Sequence, residues 1–306
     1  MLRGILLYLA RNKTMYKMVM SVALFRRMAL RFVAGERLEE AVAVVQALNA
    51  QGIAASLDHL GENVHDAAAT EKATTDYIAA LDAIAANKLH SGISVKLTQL
   101  GLDISEELTL QNIRKVLDRA RELGNIYVRI DMEGSDYTER TIKMVLCLRE
   151  QYGYENVGTV IQSYLYRSEA DVEALNAKRI HVRLCKGAYK EGPRVAFPVK
   201  AESDANYVHL SHMLLSNGEY PSIATHDPKM ISAALDYIGE NKIDRSCFEF
   251  QMLYGIRRDE QERLSRDGYN MRVYVPYGVD WYPYFMRRLA ERPANVLFFI
   301  TGLVKG

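Results

Sequence analysis

Near the C-terminus, residues Arg272 to Glu291 read RVYVPYGVDWYPYFMRRLAE. An apolar, strand-like run from Val273 to Val275 passes through Pro276 and Gly278 into an aromatic segment. Two adjacent arginines follow, Arg287 and Arg288. Paired guanidinium groups form a forked clamp for a carboxylate or phosphate. Neighbouring residues on an α-helix point about 100° apart, so both can reach one ligand only if it sits above their common edge. Taken alone, the pair also reads as two solvated arginines on an amphipathic helix.

Other segments carry comparable chemistry. Lys96 stands in SVKLTQLG, where an inward lysine can form a Schiff base or pair with a carboxylate and hold an amine or carboxylate substrate. Asp131, in VRIDMEG, is its natural ion-pair partner; with Arg129 and Glu133 in strand alternation it can instead belong to a polar barrel layer. In HVRLCKGAYKEG, Arg183 and Lys186 lead into Gly187, where bare backbone suits an anionic cofactor. Lys200, in FPVKAESD, adds a further cation, and a solvated basic edge is the alternative. In IATHDPK, Thr225 and His226 precede Pro228, which opens a helix. His226 has the chemistry of a base or a metal ligand, but the chain contains no HxH or HExxH spacing and no metal is assigned.

The elements that must position these groups alternate along the chain. Expected strands are Ala54 to Leu57, Ile93 to Leu97, Tyr127 to Met132, Val157 to Gln162, His181 to Cys185, Ser222 to Thr225, Cys247 to Met252 and Met271 to Val275. Expected helices are Glu36 to Asn49, Ala67 to Asn87, Leu108 to Leu123, Glu139 to Gln151, Ser168 to Asn176, Ala201 to Ser216, Pro228 to Asn241 and Arg258 to Arg266. Eight strands, each followed by a helix, give a (β/α)8 barrel. Polar groups recur where strands end: Asp58 and Glu62, Lys96 and Gln99, Asp131 and Glu133, Gln162, Arg183 and Lys186, Thr225 to Asp227, Glu249 and Gln251, Tyr274 and Tyr277. Barrel active sites are built at those ends. A doubly wound sheet is the structural alternative, but there is no GxGxxG turn and no P-loop.

Bulk properties agree with a small partner. The 306 residues are 49% hydrophobic, enough for a large core, and 39 Lys and Arg against 38 Asp and Glu exert no global pull on nucleic acid. Three widely spaced cysteines, Cys147, Cys185 and Cys247, read as buried reduced thiols of a cytoplasmic protein. Residues 1–35 contain no acidic residue, and seven Lys and Arg from Arg3 to Arg31 alternate with apolar side chains. No run is long enough to span a bilayer. Such an arm can lie on an anionic membrane surface or pack against the protein body.

The segments SLDHLGE, SVKLTQLG, VRIDMEG, VIQSYLYRS, HVRLCKGAYKEG, IATHD, FEFQMLYG and RVYVPYG followed by YPYFMRRLAE occur in order across residues 54 to 291. Together they resemble the proline dehydrogenase family, in particular its short, single-activity bacterial members. The resemblance implies a distorted, TIM-like (β/α)8 barrel over 53–306 behind an N-terminal helical arm over 1–52, with the last helix across the barrel mouth. It implies FAD bound without a Rossmann domain, oxidation of L-proline to Δ1-pyrroline-5-carboxylate as the first step of proline catabolism to glutamate, and electrons passed to a membrane quinone.

Carried over by residue, the family pattern makes Arg287 and Arg288 the carboxylate clamp, completed by Lys96 and Asp131. Tyr274, Tyr284 and Leu253 pack around the pyrrolidine ring. Met132, Gln162, Arg183, Lys186, Gly187, Ala188, Lys200, Thr225, His226, Gln251 and Glu291 are the FAD positions. Arg183 lies beside the flavin, where a cation stabilises the negative charge of the reduced ring. Asp131 and Arg183 are thus the expected catalytic pair. Many members carry Trp after the GAY motif, whereas Lys190 follows Tyr189 here. With the chain ending at Gly306, the product is expected to pass to a separate pyrroline-5-carboxylate dehydrogenase. The expected location is cytoplasmic, peripheral on the inner membrane face through residues 1–33. The competing readings are a Schiff-base aldolase using Lys96 or Lys186, and a non-catalytic membrane-associated binding protein working through its basic arm.

Overall fold

The computed structural model describes the backbone of residues 30–61 and 64–291 and their side chains up to Arg288. Residues 1–29, which make up most of the expected arm, and Glu62 lie outside the described residues. A first helix, α1 (Leu38–Asn49), precedes eight strands: β1 (Ala54–His59), β2 (Ser91–Val95), β3 (Val128–Ile130), β4 (Val157–Gln162), β5 (His181–Cys185), β6 (Ser222–Ala224), β7 (Glu249–Leu253) and β8 (Met271–Tyr277). The helices that follow them are α2 (Ala67–Ala86), α3 (Glu106–Glu122), α4 (Ser135–Glu150), α5 (Ser168–Ala177), α6 (Lys200–Asn217), α7 (Pro228–Asn241), α8 (Arg258–Arg266) and α9 (Trp281–Glu291). All strand pairs are parallel. β8 pairs with β1 from Arg272 opposite Ala54 to Tyr277 opposite His59, which closes the barrel.

Local chemistry explains most element ends. Asp66 accepts the Ala69 N–H and caps α2, while Asp227 caps α7, whose first residue is Pro228. α4 starts at Ser135, earlier than the expected Glu139, because its cap is supplied from a distance. Glu191, in the β5–α6 loop, accepts from Ser135 N at 2.8 Å and from Ser135 Oγ at 2.5 Å.

The apolar core lies outside the barrel wall. Leu57, Ile93, Val95, Val128, Ile130, Val182, Leu184, Val273 and Val275 join the buried faces of the surrounding helices in one cluster, which also includes Ala41 and Val45 of α1. Alternation then turns the intervening strand residues into the lumen. Hydrogen bonds between non-adjacent strands show that they meet there: Arg129 of β3 reaches Ser222 of β6, and Arg183 of β5 reaches Ser94 of β2 and Gln251 of β7. The expected polar layer containing Arg129 is therefore present.

Beyond the C-terminal ends of β7 and β8, residues 30–36 form a strap. Ala34 N donates to Pro276 O at 2.8 Å, and Gly278 N donates to Gly35 O at 3.0 Å. α9 packs under this strap, with Trp281 Nε1 bonded to Glu36 Oε1 at 3.2 Å and the Phe32 and Phe285 rings 6.2 Å apart. Trp281, Tyr282, Tyr284, Phe285 and Met286 are all buried. At about 100° per residue they cover an arc of roughly 200°, far wider than the single stripe of a helix lying along a barrel's flank. As expected, α9, the last helix among the described residues, is held at the C-terminal end of the barrel, packed on the strap that is bonded to Pro276 and Gly278.

The cysteines depart from expectation. None of the three forms a disulfide, and none is buried: Cys147 and Cys185 are half-buried and Cys247 is exposed. Cys247 ends a short 3-10 turn before β7 instead of lying inside the strand. Among the described residues no helix is long and apolar enough to cross a membrane.

Two stability measurements follow. A Cβ on Gly255, which has φ +76°, would come within 1.6 Å of Arg31 O in the strap. Gly255→Ala is expected to lower unfolding free energy by about 2 kcal/mol or more, read by urea denaturation. At the barrel's other end, His181 is stacked on Tyr127 and close to Tyr220. Burial, and secondarily Arg129, lowers its pKa to about 4. Above the unfolded value near 6.5 both states are neutral, and below it the unfolded chain takes the proton first. Stability should therefore fall between pH 6.5 and about 4 by on the order of 3 kcal/mol and then level off. His181→Gln should flatten that slope.

Candidate active site

Arg183 is fixed by three acceptors. Its Nη1 donates to Asp131 Oδ1 at 2.7 Å, its Nη2 to Ser94 Oγ at 3.1 Å and its Nε to Gln251 Oε1 at 2.6 Å. Its guanidinium carbon lies 5.2 Å from the centre of the Tyr274 ring, within cation–π range. The Tyr274 hydroxyl donates to Asp131 Oδ2 at 2.8 Å. Burial, with Asp131 and Asp58 adding to it, pushes the Tyr274 phenol well above its ordinary pKa, which keeps it a donor.

The expected pairing of Lys96 with Asp131 is corrected. Both Asp131 oxygens are taken by Arg183 and Tyr274, and Lys96 Nζ instead donates to Asp58 Oδ1 at 2.7 Å. Register explains the substitution: Asp58 of β1 aligns with Ser94 of β2, two residues before Lys96 on the same face. These two side chains are 8% and 1% exposed, and Asp58 Oδ2 is buried without a hydrogen-bond partner.

At the mouth, Leu253 is half-buried at the end of β7 and Tyr284 is buried in α9. On the helical wheel Arg288 falls inside the buried arc of α9, and Arg287 lies about 60° beyond its edge. Both are half-buried, and the Arg288 guanidinium carbon is 5.1 Å from the Tyr284 ring centre. Glu291 ends α9 in backbone, but its side chain lies outside the described residues.

The β5–β6 edge gathers the expected cofactor positions. Gly187 has φ +114°, and a Cβ there would lie 2.3 Å from the Tyr164 ring, so only glycine fits. Ala188 beside it is half-buried, whereas Lys190 is exposed. Lys186 Nζ donates to Asp204 Oδ1 at 2.6 Å and to Asp227 Oδ2 at 2.7 Å, and the exposed Lys200 also bonds Asp204. Burial raises both carboxyls, but Lys186 and Lys200 outweigh it and hold them below their ordinary pKa. Thr225 Oγ1 accepts from Asp227 N at 3.1 Å. His226 Nε2 accepts from Leu253 N at 2.8 Å, so its ring proton sits on Nδ1. Gln162 Nε2 donates to Glu133 O at 2.7 Å beside the buried Met132.

Several groups were missed from sequence. Ser56 and Ser94, whose hydroxyls are 3.1 Å apart, lie two residues before Asp58 and Lys96 on the same strand faces, so the period of two was an available signal. Asp204 lies one helical turn after Lys200. Lys96 and Lys186, the two candidate Schiff-base lysines, are both engaged as ammonium groups by carboxylates, a poor state for a nucleophile.

A closed parallel barrel with its charged, mostly paired groups gathered at the strand C-termini has the fold and site of a (β/α)8-barrel enzyme. A model of the family described as Proline dehydrogenase matches residues 41–300. The chain belongs to the proline dehydrogenase family. It is 43% identical over 305 residues to Proline dehydrogenase 1 of Bacillus subtilis (strain 168), with 100% of each chain covered. It is also 43% identical over 282 residues to Proline dehydrogenase of Deinococcus radiodurans, with 91% of each covered. In structure it is similar to proline utilization A (PutA) from Bdellovibrio bacteriovorus inactivated by N-propargylglycine, with a TM-score of 0.80 and 27% identity. That match covers 87% of this chain and 32% of the PutA chain.

Because the Lys96–Asp58 pair is buried, Asp58→Asn should destabilise the protein by about 3 kcal/mol, and adding Lys96→Met should restore most of the loss. Urea denaturation of the three variants against wild type checks this.

Proposed function

We propose that the enzyme oxidises L-proline to Δ1-pyrroline-5-carboxylate, with FAD as the bound electron acceptor and a membrane quinone as the final one. What supports this reading is the buried Arg183–Asp131–Tyr274 cluster in the lumen, together with two half-buried arginines on α9, the helix that follows β8. A zwitterionic substrate needs cations for its carboxylate and carboxylates near its ammonium, and the mouth supplies both.

The residues fit FAD. Gly187 keeps backbone bare where a Cβ has no room, and Lys186 adds a cation beside it. Arg183 offers a guanidinium at the strand ends. On this reading Met132, Gln162, Arg183, Lys186, Gly187, Ala188, Thr225 and His226 hold the cofactor, with Gln251 acting on it through Arg183 and Lys200 and Glu291 at its edge. FAD, when bound, supplies the acceptor for the two electrons that leave the substrate.

The chain's own residues do the rest. Arg287 and Arg288 neutralise and orient the proline carboxylate. Tyr274, Tyr284 and Leu253 enclose the ring and exclude water. Oxidation removes hydrogen from C5 and a proton from the ring nitrogen. Asp58, paired with Lys96 through Oδ1 and with Oδ2 unbonded, is the carboxylate able to hold the substrate ammonium and receive that proton, while Asp131 holds Arg183 and Tyr274 in place around the substrate. The basic segment 1–33 would bring the enzyme to an anionic membrane surface that contains the quinone.

Purified protein should be yellow and should bleach anaerobically when proline is added; colourless protein that FAD cannot reconstitute would contradict the reading. Arg287→Lys and Arg288→Lys keep the charge but lose the fork. Each should raise KM for proline by about tenfold or more while flavin content stays at the wild-type level, and unchanged KM in both would contradict the clamp.

A further inference from the structure

One buried carboxylate of the lumen has no part in the chemistry proposed above. Glu249 opens β7 at the end of the barrel away from the mouth. Arg272 Nε donates to both of its oxygens at 2.9 Å, Ser222 Oγ donates to Oε1 at 3.0 Å, and Gln251 Nε2 donates to the same oxygen. Two residues further along the same strand face, Gln251 presents its Oε1 to Arg183 Nε at 2.6 Å.

These contacts decide the orientation of an amide. Burial pushes the Glu249 carboxyl up, and Arg272 and Arg129 outweigh it, so its pKa stays below the ordinary value. An ionised carboxylate only accepts, whereas a side-chain amide has one donating end and one accepting end. Only the NH2 end of Gln251 can therefore face Glu249, which leaves the carbonyl end for Arg183. In the reversed orientation, two donors would meet at Arg183 Nε and two acceptors at Glu249. Arg272 is itself tied to Ala55 O at 2.7 Å, so the arrangement is anchored in the seam where β8 meets β1.

We infer that Glu249 is a positioning residue for Arg183: through the Gln251 amide it sets the tilt of the guanidinium at the mouth, without touching a ligand. The inference rests on the proposed reading that Arg183 lies beside the flavin. A cation held there stabilises the negative charge of the reduced ring, so its tilt governs both turnover and the midpoint potential.

The test is a double-mutant cycle read on the midpoint potential of the bound flavin and on steady-state kinetics. Gln251→Met cuts the link but leaves the Arg272–Glu249 pair whole. Glu249→Gln leaves the link in place but lets the amide turn. Each is expected to lower the potential and to reduce kcat by about tenfold or more, with KM for proline within about twofold of wild type. Glu249→Gln in the Gln251→Met background is expected to add no further lowering. A potential raised by Glu249→Gln reports the loss of its charge through space. That outcome overturns the inference, as does an equal shift in both backgrounds or an unchanged potential in Gln251→Met. Wild-type protein that takes no flavin, or whose flavin proline does not reduce, instead fails the proposed function and the inference with it.

Discussion

A guanidinium inside a β-barrel has to be matched by charge and hydrogen bonds, and the Arg183–Asp131 pair is the match on which this lumen depends. Removing one partner of a buried ion pair typically costs about 3 to 5 kcal/mol, because the other is left desolvated and uncompensated. Here both Asp131 oxygens and three sides of Arg183 are occupied at once. Inner positions on four strands, and the one just past β3, are thereby constrained to Ser94, Arg183, Gln251 and Tyr274, and to Asp131. Barrel interiors are ordinarily filled by branched apolar side chains. This one is filled by a charged stack from Arg129, Glu249 and Arg272 up to Lys96 and Asp58, and the hydrophobic stabilisation comes from the shell between strands and helices.

That division of labour assigns the mouth to separate elements. The outer core holds the strand ends in place, and the strap at residues 30–36 with α9 then covers them through aromatic packing and two backbone hydrogen bonds. The loop that carries Gly187 and Ala188 is docked in a similar way. Glu191 ties it to the start of α4, and Phe197 N donates to Tyr164 O at 2.8 Å. On the proposed reading, substrate and cofactor meet at a charged, rigid floor beneath two covering segments that come from opposite ends of the chain.

Much of this was legible in the sequence, because barrel strands carry local signals. β4, β5, α7 and α8 fall at the expected residues, since Pro228 and the flanking turns mark their ends without ambiguity. Non-local effects were not legible. The early start of α4 depends on a cap fifty-six residues away in sequence. The partner of Lys96 depends on strand register, which places Asp58 and Asp131 on either side of it, and on the prior engagement of Asp131 by Arg183 across the lumen. Family resemblance supplied the site residues, but it did not indicate that Lys186 is held between Asp204 and Asp227, nor that His226 spends Nε2 on the backbone of Leu253.

The central claim is that α9 brings a carboxylate reader to a mouth whose floor is Arg183, Asp131 and Tyr274. A crystal structure of the flavin-loaded protein with an unreactive five-membered ring carboxylate tests it most directly. The account predicts the carboxylate on Arg287 and Arg288, with the ring against Tyr274, Tyr284 and Leu253. A carboxylate bound instead to Lys96 or Arg183, with the two α9 arginines turned to solvent, would contradict it.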